Sequence, residues 1–193
     1  IRTGDPERDK LFVHSGCTAA APNGMGAFAT DTATGRAWLS AAIEFLAARY
    51  SGKDAPNGRI WNWIVGNEVN SHWWWYHFGR RDLPAVVEAY EDAVRLVHDA
   101  VARHSVEGRV FVSLEHHWTL RYAAGDEQQC VPGHDLLLAF AQRARERGDF
   151  AWHVAFHPYP ENLFDCRFWA DKTAPDADDA GRVTMKNLPV LLR

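Results

Sequence analysis

Apolar residues along this chain fall into two alternating patterns: short dense runs, and longer stretches in which they recur every three or four positions. The dense runs are Lys10-Leu11-Phe12-Val13, Arg59 to Gly66, Arg109 to Leu114 and Phe150 to Phe156, and each reads as a strand. Helical spacing appears from about Gly35 to Tyr50, with Trp38, Leu39, Ala42, Ile43, Leu46 and Ala47 on one face and Thr34 or Asp31 placed to cap the start. It reappears after Pro84, suited to a first helical turn, and runs to about His104 through Val86, Val87, Tyr90, Val94, Val97 and Val101. A third helix is expected from about Gly133 to Arg147, closed by Gly148. Residues 1–9, the Gly/Pro/Asn stretch Ser51 to Gly58 and residues 161–182 read as loops, and the tail from Val183 is expected to start a helix near Lys186. The order β-α-β-α-β-α-β implies an α/β domain over 1–193, with a parallel sheet covered by helices.

Against this pattern, the chemically versatile residues have a consistent place. His14 follows the first run; Asn67 and Glu68 follow the second; Glu115, His116 and His117 the third; His157 and Tyr159 the fourth. Parallel sheets bind their ligands at the C-terminal ends of their strands, so four agreeing strand ends point to one site. Burial favours the protonated form of a carboxyl group, and Glu68, just past a buried strand and close to Trp73, Trp74 and Trp75, is placed to donate a proton. The competing use is an ion pair or a helix cap. Asn67 beside it is suited to bind a substrate hydroxyl.

Composition narrows the ligand. Nine Trp in 193 residues is a high count, and the group at 73–75 and Trp118 stand among polar residues, as they would if sugar rings stacked on them rather than only core side chains. The net charge of -4, with no basic stripe, argues against nucleic acid, and charges interrupt every apolar run too often for a membrane span. Cys17, Cys130 and Cys166 have neither CxxC nor zinc-finger spacing, and Asp176, Asp178 and Asp179 lack the remaining ligands of a calcium loop. Glu115, His116, His117 and His157 are zinc-ligand types, but adjacent strand residues face opposite ways, so no metal or other cofactor is expected. No signal peptide is evident, and a chain opening at Ile1 without Met is expected to be a processed or cut piece.

Ile64-Val65-Gly66-Asn67-Glu68 resembles the fourth-strand end of the large clan of retaining (β/α)8-barrel glycoside hydrolases that includes cellulases, β-galactosidases and xylanases, and His157-Pro158-Tyr159 resembles that clan's sixth-strand end. The resemblance implies a partial TIM barrel, about strands 3 to 6 with Lys10–Val13 as the third, and makes Glu68 the general acid/base. It implies a carbohydrate substrate held by Asn67, His14, Trp73, Trp74, His116, His117, Trp118, His157 and Tyr159, and a secreted or periplasmic setting. Two departures stand out: Val69 replaces the clan's usual Pro, and the seventh-strand nucleophile has no counterpart, so the chain is expected to be inactive alone. Glu115 is the in-chain substitute for that second carboxylate, which retaining enzymes need about 5–5.5 Å from the first and inverting ones about 6.5–9.5 Å. A non-catalytic sugar-binding remnant and a metal-dependent hydrolase built on Glu115, His116, His117 and His157 are the alternatives. The exposed edges of a half barrel would favour self-association.

Overall fold

The computed structural model describes residues 3–51 and 56–193. In chain order the elements are α1 (Pro6–Phe12), α2 (Ala33–Tyr50), β1 (Asn62–Val65), α3 (His72–Trp75), α4 (Leu83–Ala102), β2 (Arg109–Glu115), α5 (Gly133–Glu146) and β3 (Trp152–His157), with 3₁₀ turns at Val69–Ser71, Phe168–Ala170 and Leu188–Leu192.

The expected first strand is a helix. Asp5 accepts hydrogen bonds from the backbone N–H groups of Glu7 and Arg8, Pro6 occupies the first turn, and Glu7 and Asp9 place negative charge there. These local signals outweigh the four-residue apolar run, and only Val13 makes a β contact, a single antiparallel bridge to Phe28. This loss removes the expected third stave. The described residues form a small three-stranded parallel sheet, order β1-β2-β3, with five α-helices, and not a run of barrel strands 3 to 6. The partial TIM barrel is therefore not what this chain builds, although its α/β character holds.

Register fixes the two faces of the sheet. Val65 pairs with Val112, Ser113 with Ala155, and Glu115 with His157. Alternation then puts Trp63, Val65, Val110, Val112, Leu114, Val154 and Phe156 on one face. They meet Val86, Tyr90, Val94, Val97 and Val101 of α4 and Leu136, Phe140 and Ala144 of α5 in the main core. The 3.6-residue spacing of α4 thus works as expected, each fully buried Val contributing about 1.5–3 kcal/mol. The opposite face carries Ile64, Phe111, Ser113, Glu115, Ala155 and His157. Helices do not cover its beginning among the described residues, and Ile64 is 57% exposed.

α2 packs against α4 and α1. Its cap is Thr32, whose hydroxyl accepts the N–H of Gly35, rather than Thr34 or Asp31. Its apolar stripe is half used: Leu39 and Ala47 are buried, Trp38 and Leu46 exposed. The tail forms the 3₁₀ turn Leu188–Leu192, later and tighter than the helix expected near Lys186. Of the expected loops, residues 1–2 and 52–55 lie outside the described residues.

Candidate functional site

The chain leaves β1 through an arrangement that its sequence enforces. Tyr90 Oη, fully buried, donates to the Val65 carbonyl (2.6 Å) and accepts the N–H of Ser113 (2.7 Å), joining the ends of β1 and β2 through α4. Gly66 follows at φ +73, where an added Cβ would meet the ring of Tyr76 at 3.0 Å. Glu68 is then left-handed, φ 46 and ψ 50, and among the described residues it alone is a non-glycine with positive φ. Such a conformation costs about 1–3 kcal/mol and persists where surroundings impose it, often at functional sites. Ser113 supplies one constraint, its hydroxyl accepting the Glu68 N–H at 3.0 Å. The carboxylate supplies another, with Oε1 2.8 Å from His157 Nδ1 on β3. Tyr159 Oη is 3.4 Å from the same nitrogen. Burial, then the Glu68 charge, holds the Tyr159 hydroxyl above its ordinary pKa.

Glu115, at the end of β2, is held differently. Its Oε1 accepts from Asn70 Nδ2 (2.7 Å) and Ser71 Oγ (2.9 Å); its Oε2 accepts from the His117 N–H (3.0 Å) and Nδ1 (2.7 Å). Burial pushes this carboxyl up, but the side-chain and backbone hydrogen bonds from His117, with the favourable electrostatics of the two imidazoles, outweigh burial and keep it below the ordinary carboxylate range. Glu115 is thus a fixed anion with all four acceptor positions filled, unsuited to passing protons.

Both carboxylates open into one cleft of about 600 Å³, lined also by Asn23, Asn67, Ser71, Trp74, Trp75, His116, His117, Tyr122, Tyr159 and Leu163. Trp74 meets Tyr122 edge-to-face at 4.7 Å and its carbonyl accepts from Asn23, so one wall is aromatic and braced. Of the residues expected at the site, Asn67, Glu68, Trp74, Glu115, His116, His117 and Tyr159 come together here, and His157 reaches the cleft through Glu68.

Three do not. His14 lies against Phe78 and Asp31, in a separate depression with Arg81. Trp73 packs edge-on to His77 at 4.5 Å. Trp118 is buried against Phe156 and His134 and anchors the small second core with Val183 and Val190. Asn23, Tyr122 and Leu163 were not anticipated, because they sit in irregular segments where no periodicity marks them. Ser71 carried a usable signal: it closes the segment Asn67 to Ser71, polar except for Val69, directly after a strand.

The ligand-type atoms of Glu115, His116 and His117 lie within 4.8 Å of one another. A metal is nonetheless disfavoured there. Glu115 has no lone pair to give, and the Arg182 guanidinium is 3.2 Å from His117 Nε2, placing a positive charge where a cation would have to be tolerated.

The pattern of a family of unknown function, DUF5722, matches residues 3–193, and the chain belongs to that family. No curated protein and no solved structure matches it.

Proposed function

We propose that this member of DUF5722 hydrolyses O-glycosidic bonds in its aromatic cleft, with Glu68 as the general acid/base. One observation carries the reading: Glu68 is held in a costly left-handed conformation that delivers its carboxylate to a cleft walled by Trp74, Trp75 and Tyr122. The Asn67-Glu68 resemblance to retaining glycosidases supports it, and it needs no barrel.

In this mechanism a sugar ring stacks on the Trp74–Tyr122 wall while Asn67 binds one of its hydroxyls. The bond between the anomeric carbon and the glycosidic oxygen breaks as Glu68 gives its proton to that oxygen. Positive charge grows on the ring, and the fixed charge of Glu115 stabilises it without changing protonation state. Water completes the reaction: its hydroxyl joins the anomeric carbon and its proton returns to the Glu68 carboxylate. His157, 2.8 Å from Oε1, holds the carboxyl group in line.

The test is turnover of unactivated oligosaccharides and nitrophenyl glycosides by the wild type and by Glu68→Gln. Loss of about 10²–10⁴-fold on unactivated substrates is expected, with a smaller loss where the leaving group needs no proton. Equal turnover of an unactivated glycoside by both proteins refutes the assignment. Sugar binding without cleavage is a second reading, favoured by the saturation of Glu115, which leaves it poorly disposed to attack carbon. Wild-type protein that binds these sugars and never cleaves them would select it.

A further inference from the structure

Hydrogen-bond capacity along Glu115-His116-His117 is nearly exhausted by the protein itself. All four acceptor positions of Glu115 are taken. Both ring nitrogens of His117 are engaged: Nδ1 faces Glu115, which only accepts, and Nε2 faces Arg182, which only donates. His117 is therefore the Nδ1–H tautomer with no capacity left. His116 differs. Its Nδ1 is 3.0 Å from the Tyr159 carbonyl, an obligatory acceptor, so the proton sits on Nδ1 and the lone pair on Nε2. Burial holds this imidazole below its ordinary pKa in spite of the neighbouring Glu115 charge, which keeps it neutral at physiological pH.

We propose that His116 Nε2 is the cleft's hydroxyl acceptor, taking a hydrogen bond from one hydroxyl of the bound sugar and so selecting among sugars by the position of that hydroxyl. The proposal rests on the carbohydrate reading, in either its cleaving or its binding form, and goes beyond it by assigning a recognition atom. His116 lines the cleft, and its Nε2 is not among the sealed polar atoms, unlike Nδ1 of His72. Glu115 Oε2 lies 3.8 Å from Nε2, too far for a hydrogen bond. The carboxylate's charge nevertheless makes the space beside both atoms favourable to a polarised O–H. A hydroxyl group fits this space better than a metal ion, because His116 brings one available lone pair while its neighbours bring none and Arg182 brings positive charge.

The experiment measures binding of methyl glycosides of glucose, galactose, mannose and xylose, and of single-deoxy analogues of whichever binds best, by tryptophan emission and saturation-transfer NMR. The proteins are the wild type, His116→Phe, which keeps a ring without an acceptor, and His116→Gln, which keeps an acceptor near the same place. His116→Phe should weaken binding by about five- to tenfold, the worth of one hydrogen bond, and His116→Gln should restore most of it. One deoxy analogue should lose a similar factor with the wild type and nothing further with His116→Phe. The analogue series on wild-type protein stands even if His116→Phe fails to fold. Equal binding by the wild type and His116→Phe overturns the proposal and leaves the cleavage reading standing, as does a deoxy series with no sensitive position. Micromolar Zn²⁺ binding that His116→Phe abolishes also overturns it, in favour of a metal ligand. If no glycoside binds the wild type, the carbohydrate reading fails and the proposal falls with it.

Discussion

Glu68 and Glu91 are both buried glutamates reaching toward positive or protonatable partners, yet they sit in opposite kinds of surroundings. Glu91 lies inside the regular helix α4, wholly buried, with Arg95 at 2.6 Å, Arg143 at 3.7 Å and Arg147 also on its carboxylate. Its backbone is relaxed and its charge is compensated several times over. Glu68 lies past the end of a strand, in a strained conformation, with the imidazole of His157 beside its carboxylate and a cleft in front of it. Burial alone does not mark function. A carboxylate that the fold pays for in backbone strain and leaves under-compensated beside a cavity differs physically from one that ties together Arg95 of α4, Arg143 of α5 and Arg147 at the end of α5.

The comparison breaks most sharply when the charge is removed from each. Glu68→Gln should cost about 10²–10⁴-fold in turnover with almost no change in the urea midpoint, since its backbone constraints remain. Glu91→Ala should do the reverse. It strands partly exposed guanidinium groups around a buried gap and should lower unfolding free energy by about 3 kcal/mol, read by urea titration, while sugar affinity stays unchanged. A Glu91→Ala protein as stable as the wild type would mean that the arginine cluster contributes little.

A second contrast lies in acid. His72, the first residue of α3, is sealed: Nε2 donates to the Gln128 carbonyl at 3.1 Å and Nδ1 has no partner. Burial, helped by the charges of His77 and Arg81, lowers its pKa from 6.5 to about 4. The folded form therefore resists a proton that the unfolded chain accepts. Its contribution is complete above pH 6.5 and is lost as pH falls toward about 4, a difference on the order of 3 kcal/mol. His72→Phe should flatten the acid limb of the stability curve across that window. A limb of unchanged slope would show that other groups carry it.

How far these features were legible in the sequence depended on whether the signal was local. The α4 stripe recurs over a long helix, and the dense runs behind β1, β2 and β3 are longer than four residues, so packing ratified them, although β1 keeps only Asn62–Val65 of the expected Arg59 to Gly66. Lys10–Val13 is too short for periodicity to decide, and the Asp5-Pro6 cap, read as loop, was the stronger signal. That one segment carried the count of staves, so the barrel fell with it. At the site, strand-end position located Glu68, Glu115 and the paired histidines. It failed for Trp118 and His14, because exposure is decided by what packs against a side chain: Val183 and Val190 seal the first, Phe78 and Asp31 hold the second. Tyr122 and Asn23 meet Trp74 only through tertiary folding, and no neighbour in sequence announces it.

The smallest expected effect separates the two glutamates most cleanly, because only one of them is destabilised by it. Glycine adopts positive φ without the Cβ clash that Glu68 bears at φ 46, so Glu68→Gly should relieve strain. Against this stands the lost 2.8 Å contact with His157 and the greater freedom of glycine in the unfolded chain. The backbone bond to Ser113 Oγ survives, since it uses the residue's N–H rather than its side chain. Relief of about 1–2 kcal/mol, against about 0.4–1 for glycine's freedom and about 0.5–1.5 for the lost hydrogen bond, leaves the urea midpoint close to that of the wild type, together with loss of turnover. The same change at Glu91 puts glycine in a helix interior as well as removing the carboxylate, and must destabilise. If Glu68→Gly instead unfolds at clearly lower urea than the wild type, the carboxylate's contacts outweigh the cost of the left-handed turn. The strain would then be no argument for a catalytic role.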